Sequence, residues 1–208
     1  MAKILGLNGS PRKAATYRSV EIALAAAAEM DGITTEMVSL HNLKIRPCNQ
    51  CDWCKRNQSL CHYDDDMQAL YPKIMEADAF IVGSPVYAMS ITPQLQAFIS
   101  RWRPLFHVTK NAVRNKLSAA IAVGGARNGG QELTVSTISH AMQARGLIVV
   151  GNESGYYSGA MVWSKDGGAS GAEQDEHGMQ GARSLGRRLA EIALIMEAGR
   201  FRLAEPSN

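Results

Sequence analysis

The sequence predicts an α/β fold: a doubly wound, five-stranded parallel sheet in the order 2-1-3-4-5, with helices on both faces. Two observations carry this. Strand-like and helix-like segments alternate along the chain, the pattern of repeated βαβ units. Apart from Thr34 to Leu40, which alternates, the strand segments are apolar throughout rather than at every second residue, as strands buried on both faces must be. The order is the common one for five strands wound in this way. A chain of 208 residues suits one domain with a full-sized core, so residues 1–208 are read as a single domain.

The elements follow in order. Lys3 to Asn8 (KILGLN) is a buried strand. Thr16 to Met30 is Ala-rich and helical, and its small side chains allow close packing on a sheet. Thr34 to Leu40 is a second strand. A cysteine-rich loop spans residues 44–63. Asp64-Asp65-Asp66 then opens a helix to Ala77, with the aspartates as N-cap residues and as favourable charge at the positive end of the helix dipole. Ala79 to Gly83 is a third strand, and Thr92-Pro93 starts a helix to Arg103, with proline in its first turn. Ser118 to Val123 is the fourth strand. A helix runs from Gly130 or Gln131 to Arg145, and Leu147 to Val150 is the fifth strand. A last helix covers Asp175 to Ala198, and Arg202 to Asn208 is expected to fray. Between them, Glu153 to Gly178 is rich in Gly and Ser and has no clear period. A long structureless segment in a compact domain is usually functional or held by a partner, so it reads as a lid or an oligomer contact, with a surface loop as the alternative.

Composition excludes several classes. Hydrophobic residues make up 46% and charged residues 20% of the chain, ordinary values for a soluble globule. A net charge of +3, with no basic helix interleaved with aromatics, argues against nucleic-acid binding. The longest apolar stretch, Ile22 to Ala28, is too short to span a bilayer. The chain passes from Met1 straight into a strand, which leaves no room for a signal peptide, so a cytoplasmic location is expected.

The four cysteines, Cys48, Cys51, Cys54 and Cys61, all lie in one run, C-x2-C-x2-C-x6-C. One loop of this kind can wrap four thiolates around a [4Fe–4S] cluster, each taking one iron. Structural zinc also takes four thiolates, usually from two separated C-x-x-C knuckles, and three cysteines within seven residues fit that poorly. Free or redox-active thiols are the third reading. Trp53, between two of the cysteines, reads as a shield against solvent. His62 adjoins one, with a surface role the simpler account.

In an open α/β sheet, ligands bind outside the carboxyl ends of the strands, and three loops there have distinctive chemistry. After the first strand, Gly9-Ser10-Pro11-Arg12-Lys13 runs to Thr16 and a helix N-terminus, where hydroxyls, backbone N–H groups and a guanidinium converge on an anion. The loop has neither a Walker pattern nor G-x-G-x-x-G, so a monophosphate suits it better than a pyrophosphate. After the third strand, Pro85 stiffens a turn, followed by Val86 and by Tyr87, whose flat face suits a planar ring. After the fourth, Gly124, Gly125 and Arg127 sit among two glycine pairs that permit close backbone approach. A phosphate end, a planar-ring face and polar-edge donors together describe FMN.

With these residues stated, the chain resembles the iron–sulfur flavoproteins, a branch of the flavodoxin-like NADPH-dependent FMN reductase group. The resemblance spans roughly Lys3 to Met196. It rests on GSPRK at 9–13, the cysteine run, DDDM at 64–67, SPVY at 84–87 and VGGARNGGQE at 123–132. It implies a flavodoxin-like domain that binds FMN at the C-terminal sheet edge near a subunit interface. Ser10, Arg12 and Thr16 would lie at the phosphate. Pro85, Val86, Tyr87, Gly124, Gly125 and Arg127 would lie along the ring. Cys48, Cys51, Cys54 and Cys61 would be ligands of a [4Fe–4S] cluster. It also implies a homodimer or homotetramer and a ferredoxin-like electron carrier. After GSPRK the family often carries Asn-Thr where this chain has Thr16 and Tyr17.

The activity expected is a flavin-dependent oxidoreductase that passes electrons between a one-electron carrier and an acceptor through FMN. The cofactors supply the redox chemistry, so no catalytic side chain is assigned, and the five histidines, His41, His62, His107, His140 and His177, are given no catalytic role. The alternative is an NAD(P)H-dependent FMN or quinone reductase whose cysteines hold zinc. A redox-sensing scaffold is the non-enzymatic reading.

Overall fold

The computed structural model describes residues 1–109 and 112–204, with side chains to residue 200. The chain forms β1 (Ala2–Asn8), α1 (Ala15–Ala27), β2 (Ile33–Ser39), α2 (Trp53–Asn57), α3 (Leu70–Glu76), β3 (Ala79–Pro85), α4 (Pro93–Ser100), α5 (Arg103–His107), β4 (Leu117–Gly124), α6 (Gln131–Gln143), β5 (Ile148–Val149), β6 (Ala160–Trp163), α7 (Gly168–Glu173) and α8 (Glu176–Ala204). The sheet is parallel, in the expected order β2-β1-β3-β4-β5.

The fifth strand is divided. β5 pairs with the start of β4, Leu117 and Ser118, and β6 pairs with its end, Ile121 to Gly124. Val150 N–H still reaches Ser118 O at 2.8 Å, and the chain then leaves the β4 edge before β6 begins. The expected strand Leu147–Val150 is therefore only its first half. The second half, Ala-Met-Val-Trp, lies in the Gly- and Ser-rich stretch that the sequence suggested was structureless. Its four residues are too few for a period to emerge, and the Gly-Ala-Ser composition of α7 hides a short helix.

Two layers cover the sheet. On one face the core holds Ile4, Ile81, Ile121, Val162 and the inward sides of α1 and α8. On the other it holds Leu5, Phe80, Val82, Phe98, Trp102 and Ile138. Alanines permit close packing of α1. At Gly186 a Cβ would stand 2.0 Å from the carbonyl oxygen of Ala23, so α8 lies backbone-close against α1.

The sequence misplaced some helix boundaries. The helix expected from Asp64 begins at Leu70, because Asp65 and Asp66 are engaged elsewhere. The helix expected to reach Arg103 stops at Ser100, and α5 begins afresh at Arg103 with Pro104 in its first turn. α2, inside the cysteine loop, was not anticipated. α8 runs beyond Ala198 to Ala204, so it includes part of the expected frayed end; residues 205–208 lie outside the described residues.

Lys116 is buried, and its ammonium group donates to the carbonyls of Ile74, Met75 and Ala77 at the C-terminus of α3. Burial pulls its pKa down to about 8, against the opposing pull of Asp78. Between that value and the ordinary lysine value of about 10.4, the unfolded chain holds a proton that the folded chain has released. Stability contributed by this residue therefore rises with pH through that window and is lost as pH falls through about 8. Thermal melts of the Lys116→Met variant at pH 7.5 and pH 9.5 should show a smaller gain with pH than the parent; an equal gain would exclude this assignment.

Candidate functional site

A cleft of about 400 Å³ opens at the carboxyl edge of the sheet. It is lined by Ser10, Arg12 and Thr16 from the β1–α1 segment, Pro85 at the end of β3 with Val86 and Tyr87 after it, and Gly125 after β4. Seven of the nine residues expected at one ligand thus meet in one place. Gly124 flanks the cleft through its backbone. Arg127 lies in a neighbouring cavity, with its guanidinium 2.7 Å from the Asp175 carboxylate and over the Trp163 ring.

The β1 loop is shaped by Asn8, which is wholly buried. Its amide donates to the carbonyls of Ser10 and Arg12 and to the Ser39 hydroxyl, and its carbonyl accepts the Ser10 N–H. Ser10 Oγ accepts the Arg12 N–H. Thr92 Oγ1 donates to Gly9 O at 2.6 Å and also caps α4 by accepting the Leu95 N–H. The loop delivers the chain to the start of α1, where Ala14 provides no side-chain cap and the first turn has no acidic residue. That end of a 13-residue helix is electropositive and has N–H groups to spare. Among the described residues the Arg12 side chain makes no ion pair. An anion fits this corner.

After β3, Tyr87 and Ser90 exchange both backbone hydrogen bonds around Ala88 and Met89, whose φ angles are 46° and 64°. Two successive left-handed residues form the turn that usually takes Asn-Gly; here it holds non-glycine residues at some conformational cost. Tyr87 and Met89 are exposed at the rim.

After β4, any side chain at position 125 would meet the Asp166 carboxylate, with Oδ1 2.2 Å from a Cβ. Ser164, Asp166 and Gly168 line the cleft as a fourth loop that sequence reasoning did not find. Their signal was present only as the unexplained Gly- and Ser-rich stretch. Asp175 anchors this region from the start of α8. Burial would raise its carboxyl, but the N–H groups of Trp163 and Gly178 and the Arg127 guanidinium together hold it below the ordinary carboxylate range.

A second, smaller cavity is lined by Cys48, Cys51, Cys54 and Cys61, together with Arg101, Arg103 and Tyr63. Cys54 is buried, Cys51 is exposed, and the other two are intermediate. Burial pushes the Cys54 thiol up, countered by the Lys55 N–H and Arg103. Among the described residues the buried Nε atoms of Arg101 and Arg103 have no partner. A thiolate-ligated, anionic cluster supplies acceptors for such donors, so the residues present fit the group. Among the described residues no three His, Cys, Asp or Glu side chains come together in the arrangement that would hold a single metal ion.

The cavity wall is a buried ion pair. Asp65 accepts Arg101 Nη1 at 2.6 Å and Nη2 at 3.2 Å, and it also accepts the N–H groups of Arg46 and Met67. Arg101 is 1% exposed and donates to Arg46 O. The Tyr63 ring lies against the guanidinium groups of Arg46 and Arg101. Cys48 N–H donates to Ser100 Oγ. Asp66 accepts the Lys44 N–H. The aspartates expected as helix caps therefore tie the two ends of the cysteine loop together.

Known proteins share this architecture and sequence. Residues 2–160 match the family described as NADPH-dependent FMN reductase. An iron–sulfur flavoprotein of Methanosarcina thermophila is 36% identical over 198 residues, covering 95% of this chain and 98% of that protein. One from Methanocaldococcus jannaschii is 37% identical over 191 residues, covering 91% and 96%. Among solved structures, RosB with a bound formylated riboflavin phosphate intermediate superposes with a TM-score of 0.74 at 19% identity, covering 100% of this chain and 88% of that one. No helix among the described residues is long and apolar enough to cross a membrane. The chain is thus a flavin-dependent oxidoreductase and belongs to the NADPH-dependent FMN reductase family, in its iron–sulfur flavoprotein branch.

Proposed function

We propose that the chain binds FMN in the sheet-edge cleft, holds a [4Fe–4S] cluster on its four cysteines, and passes electrons between a ferredoxin-like one-electron carrier and an acceptor. The observation that carries this reading is the convergence of all four cysteines on one cavity beside two guanidinium groups with unpaired Nε atoms. When bound, the cluster moves single electrons and the flavin accepts one or two, which together convert between one- and two-electron chemistry.

The chain's own residues bind and orient. Ser10, Thr16, Arg12 and the open end of α1 neutralise the phosphate. Pro85, Val86 and Tyr87 form the wall for the planar ring, and Gly124 and Gly125 bring the backbone close to its polar edge. Arg101 and Arg103 balance the negative charge of four thiolates, and Trp53 limits water at the cysteine cavity. Assembly as a homodimer or homotetramer, with a second copy over Tyr87 and Met89, belongs to this reading, as does a cytoplasmic setting that keeps the thiols reduced.

Anaerobic purification tests it. The expected preparation carries FMN, with iron and acid-labile sulfide each near four per chain, and the Cys54→Ala variant loses its iron and its carrier-dependent turnover. Zinc near one per chain without sulfide overturns the cluster and leaves an NAD(P)H-dependent FMN or quinone reductase with a structural zinc site. Retention of iron and turnover by Cys54→Ala overturns the ligand set.

A further inference from the structure

We infer that Trp163 and Ser164 are positioning residues that turn the N–H groups of Gly125 and Ala126 into the cleft as donors to the polar edge of the flavin. The inference rests on the proposed FMN site and deepens it.

The argument is one of peptide geometry. In a trans peptide the C=O of one residue and the N–H of the next point in opposite directions. β4 lies between β3 and β6. Val123 O points toward β3, where it accepts the Val86 N–H at 2.9 Å. One residue on, Gly124 O points toward β6, where it accepts the Ser164 N–H at 2.8 Å and the Ser164 hydroxyl at 3.1 Å. The N–H of the same peptide unit, that of Gly125, must therefore face the β3 side, where Pro85, Val86 and Tyr87 line the cleft. Continuing the parallel ladder would give it Val86 O as acceptor, but among the described residues that bond is not formed.

Trp163 repeats the device one peptide later. Its indole Nε1 donates to Gly125 O at 2.7 Å, which turns the Ala126 N–H away from the indole; this donor too has no acceptor among the described residues. The indole is itself fixed. Its backbone N–H donates to Asp175 at 2.7 Å, Arg127 bonds the same carboxylate, and the Arg127 and Lys165 cations each lie 5.1 Å from the ring. Arg127 thus acts on the flavin loop through Asp175 and Trp163. Two carbonyls are pinned, and two N–H donors are left without acceptors among the described residues, of which that of Gly125, itself part of the cleft lining, faces the β3 side. The flavin edge offers carbonyl and ring-nitrogen acceptors, and it becomes more negative on reduction, so aligned donors favour the reduced form.

The test compares Trp163→Phe, which keeps an aromatic ring and removes the N–H, with Ser164→Ala, which removes only the hydroxyl. FMN affinity and two-electron midpoint potential are measured on each variant, with thermal melts as the control for folding. In Trp163→Phe, reduced FMN should lose about tenfold more affinity than oxidised FMN, which lowers the midpoint by about 30 mV, and Ser164→Ala should move it the same way by less. An unchanged potential and affinity in a folded, FMN-bound Trp163→Phe overturns the inference, as does a lowered melting temperature without any shift in potential. If the parent chain binds no FMN, the proposed flavin site fails instead. Should Trp163→Phe not fold, a Ser164→Ala variant whose potential equals that of the parent overturns the inference.

Discussion

The Arg101→Met variant should lose about 3–5 kcal/mol of stability, the cost of leaving a buried charge without its partner. Asp65 would be the stranded group: its side chain is 5% exposed, and the backbone N–H groups of Arg46 and Met67 cannot replace a bidentate guanidinium. Damage should concentrate in the cysteine loop, because Arg101 also holds the Arg46 carbonyl and lies against Tyr63. Urea denaturation followed by circular dichroism gives the global loss. Hydrogen exchange should show residues 44–66 opening well before the sheet. If stability falls by less than about 1 kcal/mol, the pair behaves as a surface ion pair and the anchoring role is wrong. A double variant, Arg101→Met with Asp65→Leu, should recover much of the loss, since removing both charges relieves the desolvation cost that breaking one exposes.

Replacing Asn8 by leucine should weaken FMN binding at least tenfold and destabilise the fold by about 2–3 kcal/mol. Leucine has nearly the same size, so packing is kept while every polar contact is lost. Ser10 N–H then lacks its acceptor, and the carbonyls of Ser10 and Arg12 lack their shared donor. The β1 loop would no longer hold Ser10 and Arg12 over the start of α1. Fluorescence titration of the apoprotein with FMN separates the two effects: the affinity loss should exceed that of a variant equally destabilised elsewhere, such as Gly186→Ala. Unchanged affinity would place the phosphate away from this loop.

Much of this is legible in the sequence alone. The apolar strands at Lys3–Asn8, Ala79–Gly83 and Ser118–Val123 declared themselves because burial on both faces leaves no room for polar residues. The cleft residues of the first and third loops were legible because a switch point concentrates ligands at strand ends, and proline, glycine and hydroxyl residues cluster there. What escaped was non-local. Asp65 looks like a helix cap until Arg101, 36 residues away, is seen to take its carboxylate. Arg127, expected along the ring, also pairs with Asp175, 48 residues away, which no local pattern announces. Trp163 ends, and Ser164 follows, a four-residue strand whose pairing depends on β4, and no local period can announce such a strand. Asn8 ends a predicted strand correctly, but its work on the next loop is set by a side-chain network that sequence spacing does not encode.

The close approach of α8 to α1 has a consequence for synthesis. Ala23 and Gly186 touch across about 160 residues of intervening chain, and Arg18 reaches Glu173 as Arg187 reaches Glu29. While the chain is being made at about 5–20 residues per second, α1 emerges early and its sheet-facing side can settle on β1. Its other flank stays bare until α8 leaves the ribosome many seconds later. For that interval the nascent protein leaves the Ala23 backbone and the flank around it uncovered, so α8 acts as a late lock on a layer laid down first.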